Sequence, residues 1–148
     1  MSVGLRPVRD EDIEIFYEHQ REPEGAAMAA FPSRERDVFF AHWEKTRARA
    51  DAMAMTVTYE GRVAGNIGSW EDDDYVLVGY WLGKEFWGRG IATAALNAYV
   101  TEHELRRPLG AHVAATNIGS IRVLERCGFE VVSRTPEELL LAYRGRAG

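Results

Sequence analysis

The sequence predicts an α+β domain: a mixed, mostly antiparallel central sheet of about six to seven strands flanked by four helices. Three observations carry this expectation. Residues 55–59 and 62–70 are two β-rich runs joined by the tight turn Glu60-Gly61, which is the pattern of an antiparallel hairpin. The run Tyr75–Leu82 adds a third strand and leads into an alanine-rich stretch without breakers, from Gly90 to about Glu102, so a helix crosses over there to a parallel neighbour. Beyond it come a strand, a helix and two strands, an order that does not alternate as a βαβ array would.

Each element has a local reason. Leu5-Arg6-Pro7-Val8 reads as a short edge strand, because Pro7 has no N–H for a central ladder. Asp10 is a cap for a helix beginning near Glu11, in which Ile13, Phe16 and Tyr17 recur at helical spacing until Pro23 and Gly25 end the pattern. Ser33 precedes a second helix with Val38, Phe39, Ala41, His42 and Trp43 on its apolar side and Glu44, Lys45, Arg47 and Arg49 in water. Glu71, Asp72, Asp73 and Asp74 form an acidic tip between the hairpin and the third strand, and a charge run of this kind ordinarily sits in solvent. After Arg106-Arg107-Pro108 the chain reads as a strand at 111–115, a helix over Ile118–Arg126 stopped by Gly128, and strands over Phe129–Arg134 and 139–143.

A chain of 148 residues falls in the range of one domain, here 1–148. The net charge of -5 opposes binding to nucleic acid and favours cationic partners. No stretch of about 18 apolar residues suggests a membrane span and no signal-peptide pattern opens the chain, so no membrane partner and a cytoplasmic location are expected. The single cysteine, Cys127, permits no intrachain disulfide and reads as structural. The four histidines, His19, His42, His103 and His112, are scattered without metal spacing, so no metal is expected and none of them is assigned to catalysis.

The chemistry-bearing feature is Glu85-Phe86-Trp87-Gly88-Arg89-Gly90-Ile91-Ala92-Thr93. A helix N-terminus has unpaired N–H groups and partial positive charge, and glycines let a phosphate approach the backbone. A dinucleotide fingerprint fits poorly, since Thr93 stands where a third Gly or Ala belongs and residues 108–116 lack the ribose-binding acid expected about 20 positions on. A structural turn and a coenzyme A pyrophosphate loop both remain open on the residues of this loop alone.

Extended back to Gly79-Tyr80-Trp81-Leu82-Gly83-Lys84, the loop resembles motif A of the GNAT superfamily of acyl-CoA N-acyltransferases. It is most similar to the branch that acetylates N-termini of ribosomal proteins. Asn117-Ile118-Gly119-Ser120, continuing to Gly128-Phe129-Glu130, resembles a second hallmark of that branch. The resemblance covers roughly residues 75–131, while the first 50 residues match loosely.

The resemblance implies a GNAT fold and an acetyltransferase using acetyl-CoA, with Gly88, Arg89, Gly90, Ile91, Ala92 and Thr93 at the pyrophosphate. The backbone of Trp81 and Leu82 would pair with the pantetheine amides. Asn117 and Ser120 would contact pantetheine or the leaving sulfur, Ser120 as a candidate proton donor. Glu85 stands where the superfamily usually has Gln or Arg, which shifts the phosphate contact to backbone N–H groups and Arg89.

Two departures concern catalysis. The branch's Glu, two residues before Gly-Tyr-Trp, is Leu77 here, and the superfamily's Tyr, four residues before Gly-Phe, is Leu124. Counting back by two along an extended strand from Leu77 reaches Tyr75 and Asp73, and Asp73 is the substitute base expected. The acceptor implied is a primary amine, a peptide N-terminus or a small amine, with Phe31, Phe39, Trp43, Trp70 and Tyr143 as candidate walls. The missing acids also motivate an acyl-CoA-binding or sensing module with little or no catalysis; a protein-interaction domain is a third class, and a homodimer is left open.

Overall fold

A computed structural model of the chain describes residues 2–29 and 33–145. Seven strands, β1 (Val3–Pro7), β2 (Met53–Tyr59), β3 (Arg62–Asp72), β4 (Tyr75–Leu82), β5 (Leu109–Ala114), β6 (Phe129–Arg134) and β7 (Glu138–Tyr143), form one sheet in the order β1-β2-β3-β4-β5-β7-β6. Every neighbouring pair is antiparallel except β4 and β5. The helices are α1 (Asp10–Gln20), α2 (Pro23–Met28), α3 (Arg36–Ala48), α4 (Ile91–Ala98) and α5 (Ile118–Arg126). Among the described residues no helix is long and apolar enough to cross a membrane.

Among the described residues five α-helices stand where four are expected from sequence. The extra one, α2, opens on Pro23, the residue whose ring suggests the end of α1. Proline fits the first position of a helix because its missing N–H would have no partner there, and the Glu22 carboxylate accepts from the Glu24 N–H at 2.9 Å to cap the turn. Asp10 lies inside α1 and does not cap it. Arg9 precedes the helix instead, and its N–H donates to Asp12 Oδ2 at 2.8 Å.

The two faces of the sheet carry separate cores. Ile13 and Phe16 of α1 pack with Phe39 and Trp43 of α3 on one side. Ile91, Ala95 and Leu96 of α4, Leu124 of α5 and the inward residues of β2 to β7 fill the other. Helix α4 runs on into a single wide turn, Tyr99–His103, in which the Glu104 N–H donates to Tyr99 O at 2.7 Å. Arg107 closes that end by donating to Val100 O and Glu104 O at 2.7 and 2.8 Å. Buried Glu104 beneath it accepts from Ser69 Oγ at 2.6 Å and pairs with Arg106. A carboxylate so far from water is tolerated because hydrogen-bond donors meet both of its oxygens.

Candidate functional site

The site begins with an incomplete strand pairing. β4 and β5 share only Val76↔Leu109 and Leu77↔Gly110, after which β4 continues with β3 and β5 with β7, so the two strands diverge and leave a gap. Val76 N–H donates to Pro108 O at 2.9 Å, which fixes the phase: its polar backbone groups face β5. The β3–β4 register is unbroken, so by the two-residue repeat of a strand the N–H and C=O groups of Val78, Tyr80 and Leu82 also face that side. Trp81 therefore turns its backbone toward β3, where a Cβ at Gly65 would collide with its carbonyl oxygen. The backbone groups that face the gap are thus those of Tyr80, whereas those of Trp81, expected there from the resemblance, face β3. Leu82 keeps its place at the gap, its C=O accepting from Trp87 Nε1 at 3.1 Å.

The gap opens into a cavity of about 430 Å³ lined by Trp81, Leu82, Gly88, Gly90, Ile91, Ala92, Thr93, Asn117 and Ser120. Gly88 and Gly90 sit at φ +72° and +76°, a left-handed conformation that side chains with a Cβ rarely adopt, and Gly90 is the residue from which α4 starts. Nothing lies within 4 Å of a Cβ built on Gly88, so this turn forms an open cradle, and Ile91, Ala92 and Thr93, whose N–H groups have no partners within the first turn of α4, line the same cavity. These features fit a pyrophosphate. Arg89 is exposed and lies outside the lining, whereas Arg122 and Arg126, one turn apart on α5, are within it. Sequence reasoning passed over that pair, although basic residues at i and i+4 on the helix behind the glycine loop were a legible signal. Glu85 faces away from the cradle and accepts from Arg62 at 2.9 Å.

On the α1/α3 face of the sheet a second cavity, of about 440 Å³, is walled by Phe16, Phe39, Trp43, Trp70 and Trp81 and edged by Gln20, Arg34, His42, Arg49 and Asn66. Gly79 matters here because the Trp70 indole lies 3.4 Å from where its Cβ would stand. Phe39, Trp43 and Trp70 are thus brought together, while Tyr143 packs against Phe129 with ring centroids 5.2 Å apart, away from this cavity, and Phe31 lies outside the described residues. Partial desolvation lowers the pKa of the rim residue His42 from the ordinary 6.5, and Arg34 and Lys45 lower it further, which favours the neutral imidazole.

Tyr80 and Trp81 line both cavities. The Tyr80 hydroxyl lies 2.8 Å from Ser120 Oγ, and Ser120 is held by its own N–H donating to the Asn117 side chain at 3.2 Å. Burial pushes the phenol up to about 12 against the opposing hydrogen bond from Ser120, so it stays protonated at neutral pH. Tyr80 is a further lining residue that sequence reasoning did not single out. It stood inside the recognised motif, but its neighbour across the site is 40 positions away.

The expected base is not brought to either cavity. Asp72 pairs with Tyr75, so β3 ends and β4 begins there, and Asp73 occupies the two-residue turn between them at φ +43°, exposed. Counting back by two along the strand therefore fails at Asp73, since the strand no longer continues. Leu77 and Leu124, at 6% and 3% exposure, are core residues.

Residues 2–130 match the family described as acetyltransferase (GNAT) domain. Over 101 residues the chain is 33% identical to the "Putative ribosomal N-acetyltransferase YdaF" of Bacillus subtilis (strain 168), a stretch covering 64% of this chain and 55% of that protein. The chain thus spans about half the length of this curated relative. Its fold is similar to that of an acetyltransferase from Thermus thermophilus, with a TM-score of 0.81 at 15% identity over 96% of each chain. It is also similar to the spermidine N-acetyltransferase from Vibrio cholerae solved with CoA and spermine, with a TM-score of 0.80 at 15% identity over 95% of this chain and 94% of that one. A glycine-opened helix beside diverging strands, and a family match over most of its length, lead to one statement: the chain belongs to the GNAT acetyltransferase family.

Proposed function

We propose that the protein is an N-acetyltransferase that moves an acetyl group from acetyl-CoA to a primary amine, a peptide N-terminus or a small amine, by direct attack in a ternary complex. The observation that carries this reading is Tyr80, which lines both cavities and joins Ser120 at 2.8 Å, so that donor and acceptor would meet at one residue.

Acetyl-CoA supplies an activated thioester. Gly88, Gly90 and the N–H groups of Ile91, Ala92 and Thr93 would hold its pyrophosphate, with Arg89, Arg122 and Arg126 adding charge. The gap-facing Tyr80 C=O and the backbone of Leu82 would take its amides, Trp81 would contribute its indole, and Asn117 would fix Ser120 beside the sulfur.

Acyl transfer needs a neutral amine, a donor for the oxyanion and a proton for the departing thiolate. We assign the oxyanion contact to the Tyr80 N–H and the proton to the Ser120 hydroxyl, replenished from the Tyr80 phenol. The base is assigned to His42, a neutral imidazole at the acceptor cavity. As the new N–C bond forms and the C–S bond breaks, one proton leaves the amine and one reaches the thiolate.

Burial of Leu77 and Leu124, where the family resemblance would place acids, favours a second reading: an acyl-CoA-binding or sensing module. Thiol release from acetyl-CoA over an amine panel decides between them. Amine-dependent release supports transfer; binding of acetyl-CoA without turnover on any amine sinks it. Absence of any heat on coenzyme A titration would sink both and leave an interaction domain.

A further inference from the structure

The acceptor cavity is opposite in charge to the molecule. The chain carries 23 acidic against 18 basic residues, yet among the described residues no Asp or Glu lines this cavity, whose titratable side chains are Arg34, His42, Arg49 and the protonated Tyr80 phenol. The remaining residues, Met1, Ala30 to Pro32 and Arg146 to Gly148, include no acid either. Buried Gln20 holds the backbone of Arg34 at the rim, its Oε1 accepting from Arg34 N–H at 2.7 Å and its Nε2 donating to Arg34 O at 3.1 Å. Arg49 is fixed by two hydrogen bonds to Asp51, at 2.9 and 2.6 Å, which partly offset its charge. Behind desolvation, Arg34 and Lys45 both lower the pKa of His42, so the same positive charges act on the imidazole at this rim.

We propose, resting on the acetyl-transfer reading above, that the acceptor is a small primary amine carrying a carboxylate on an apolar or aromatic body, of amino-acid size, with the carboxylate seated by Arg34. A guanidinium pairs a carboxylate with charge-assisted, often bidentate hydrogen bonds, and the aromatic walls desolvate the body. A polyamine would bring two or more ammonium groups into a cavity without a counter-charge, where like charges repel at close range. Overall negative charge, which favours cationic partners from sequence, acts over the whole surface; the walls of the cavity decide what stays in it. The attacking nitrogen then loses its proton to His42, the N–C bond forms, and the thiolate takes a proton from Ser120.

The full chain is assayed for thiol release with acetyl-CoA and phenylalanine, phenylalaninamide, phenethylamine or spermidine. The expected result is a kcat/KM for phenylalanine at least about tenfold above its amide and phenethylamine, with spermidine lowest. Arg34→Gln collapses the acid-to-amide ratio toward one through KM, Arg34→Lys retains most of it, and melting curves verify that both variants fold. Preference for spermidine or the neutral amines, or an unchanged ratio in Arg34→Gln, overturns the proposal. Should no amine turn over, the transfer reading fails. Calorimetric binding of phenylalanine to the coenzyme A-loaded protein, lost in Arg34→Gln, then upholds the cavity's preference, and no binding overturns it.

Discussion

Tyr80 on β4 and Ser120 on α5 hold their hydroxyls 2.8 Å apart between the two cavities. Because burial raises the phenol to about 12, it stays protonated across the neutral range, and in the proposed reaction the pair would supply the proton for the thiolate. Tyr80→Phe is expected to lower kcat by about tenfold or more with little change in KM for acetyl-CoA, the direction expected for lost acid catalysis. Its melting temperature should fall only slightly, since a single hydrogen bond contributes roughly 1 kcal/mol. Unchanged kcat would remove Tyr80 from the reaction.

The glycine turn separates fold from ligand. Gly88→Ala meets no neighbouring atom within 4 Å, so its structural cost is the strain of φ +72°. That strain is worth about 1 to 2 kcal/mol. If the open cradle holds a pyrophosphate, the added methyl also raises the Kd for coenzyme A by at least about tenfold, equivalent to about 1.4 kcal/mol. A drop in stability with unaltered affinity would place the phosphate elsewhere.

What the sequence made legible was local. The strand Tyr75–Leu82 and the helix Ile118–Arg126 have the bounds read from their patterns, because a turn signal flanks each of them. Helix α2 escaped because six residues carry too little periodicity to outweigh a proline. Alternation along β4 fixes which residues share a backbone direction but not which set faces the gap; that phase comes from the bond between Val76 and Pro108, which are distant in the chain. Likewise, no local pattern announces that the walls contributed by α1, α3 and β3 will include no acid.

Asp73 provides a test of that boundary. At φ +43° in an exposed turn it is a strained aspartate, and Asn is well tolerated in this conformation. Asp73→Asn is expected to leave kcat/KM within about twofold and to keep or slightly raise the melting temperature, since exposed substitutions usually stay within about 0.5 kcal/mol. A large loss of kcat would restore Asp73 as the base.

His42 predicts a pH profile. Desolvation, then Arg34 and Lys45, hold its pKa below the ordinary 6.5, so the proton-accepting form is present at neutral pH and is lost on acidification below that value. The acid limb of kcat/KM should therefore lie below pH 6.5. His42→Gln should remove that limb while lowering kcat by about 100-fold, the lower range for a general base. Persistence of the limb in the variant would assign it to another group.

The acid stability of the fold should be governed partly by Asp12, which fastens α1 to the β1–β2 edge. The residue is 1% exposed, and burial alone would raise its pKa. Hydrogen bonds from Arg6 at 2.7 and 2.9 Å, from the Arg9 N–H at 2.8 Å and from Thr56 Oγ1 at 2.7 Å outweigh that and bring the carboxyl down to about 2 from 3.8. A carboxyl depressed in the folded state binds fewer protons there than in the unfolded chain, so its stabilisation, about 2 kcal/mol, is present above about pH 4 and is lost as pH falls toward about 2. Asp12→Asn removes the charge and one acceptor from a nearly closed network, and urea titration at neutral pH should find it less stable by roughly 2 to 3 kcal/mol. The deficit should shrink as pH is lowered through about 4 toward about 2, because the wild-type carboxyl is then neutral as well. An equal deficit at neutral pH and at the acid end of that range would mean that Asp12 acts by shape alone and that its ionisation contributes nothing to the α1 anchor.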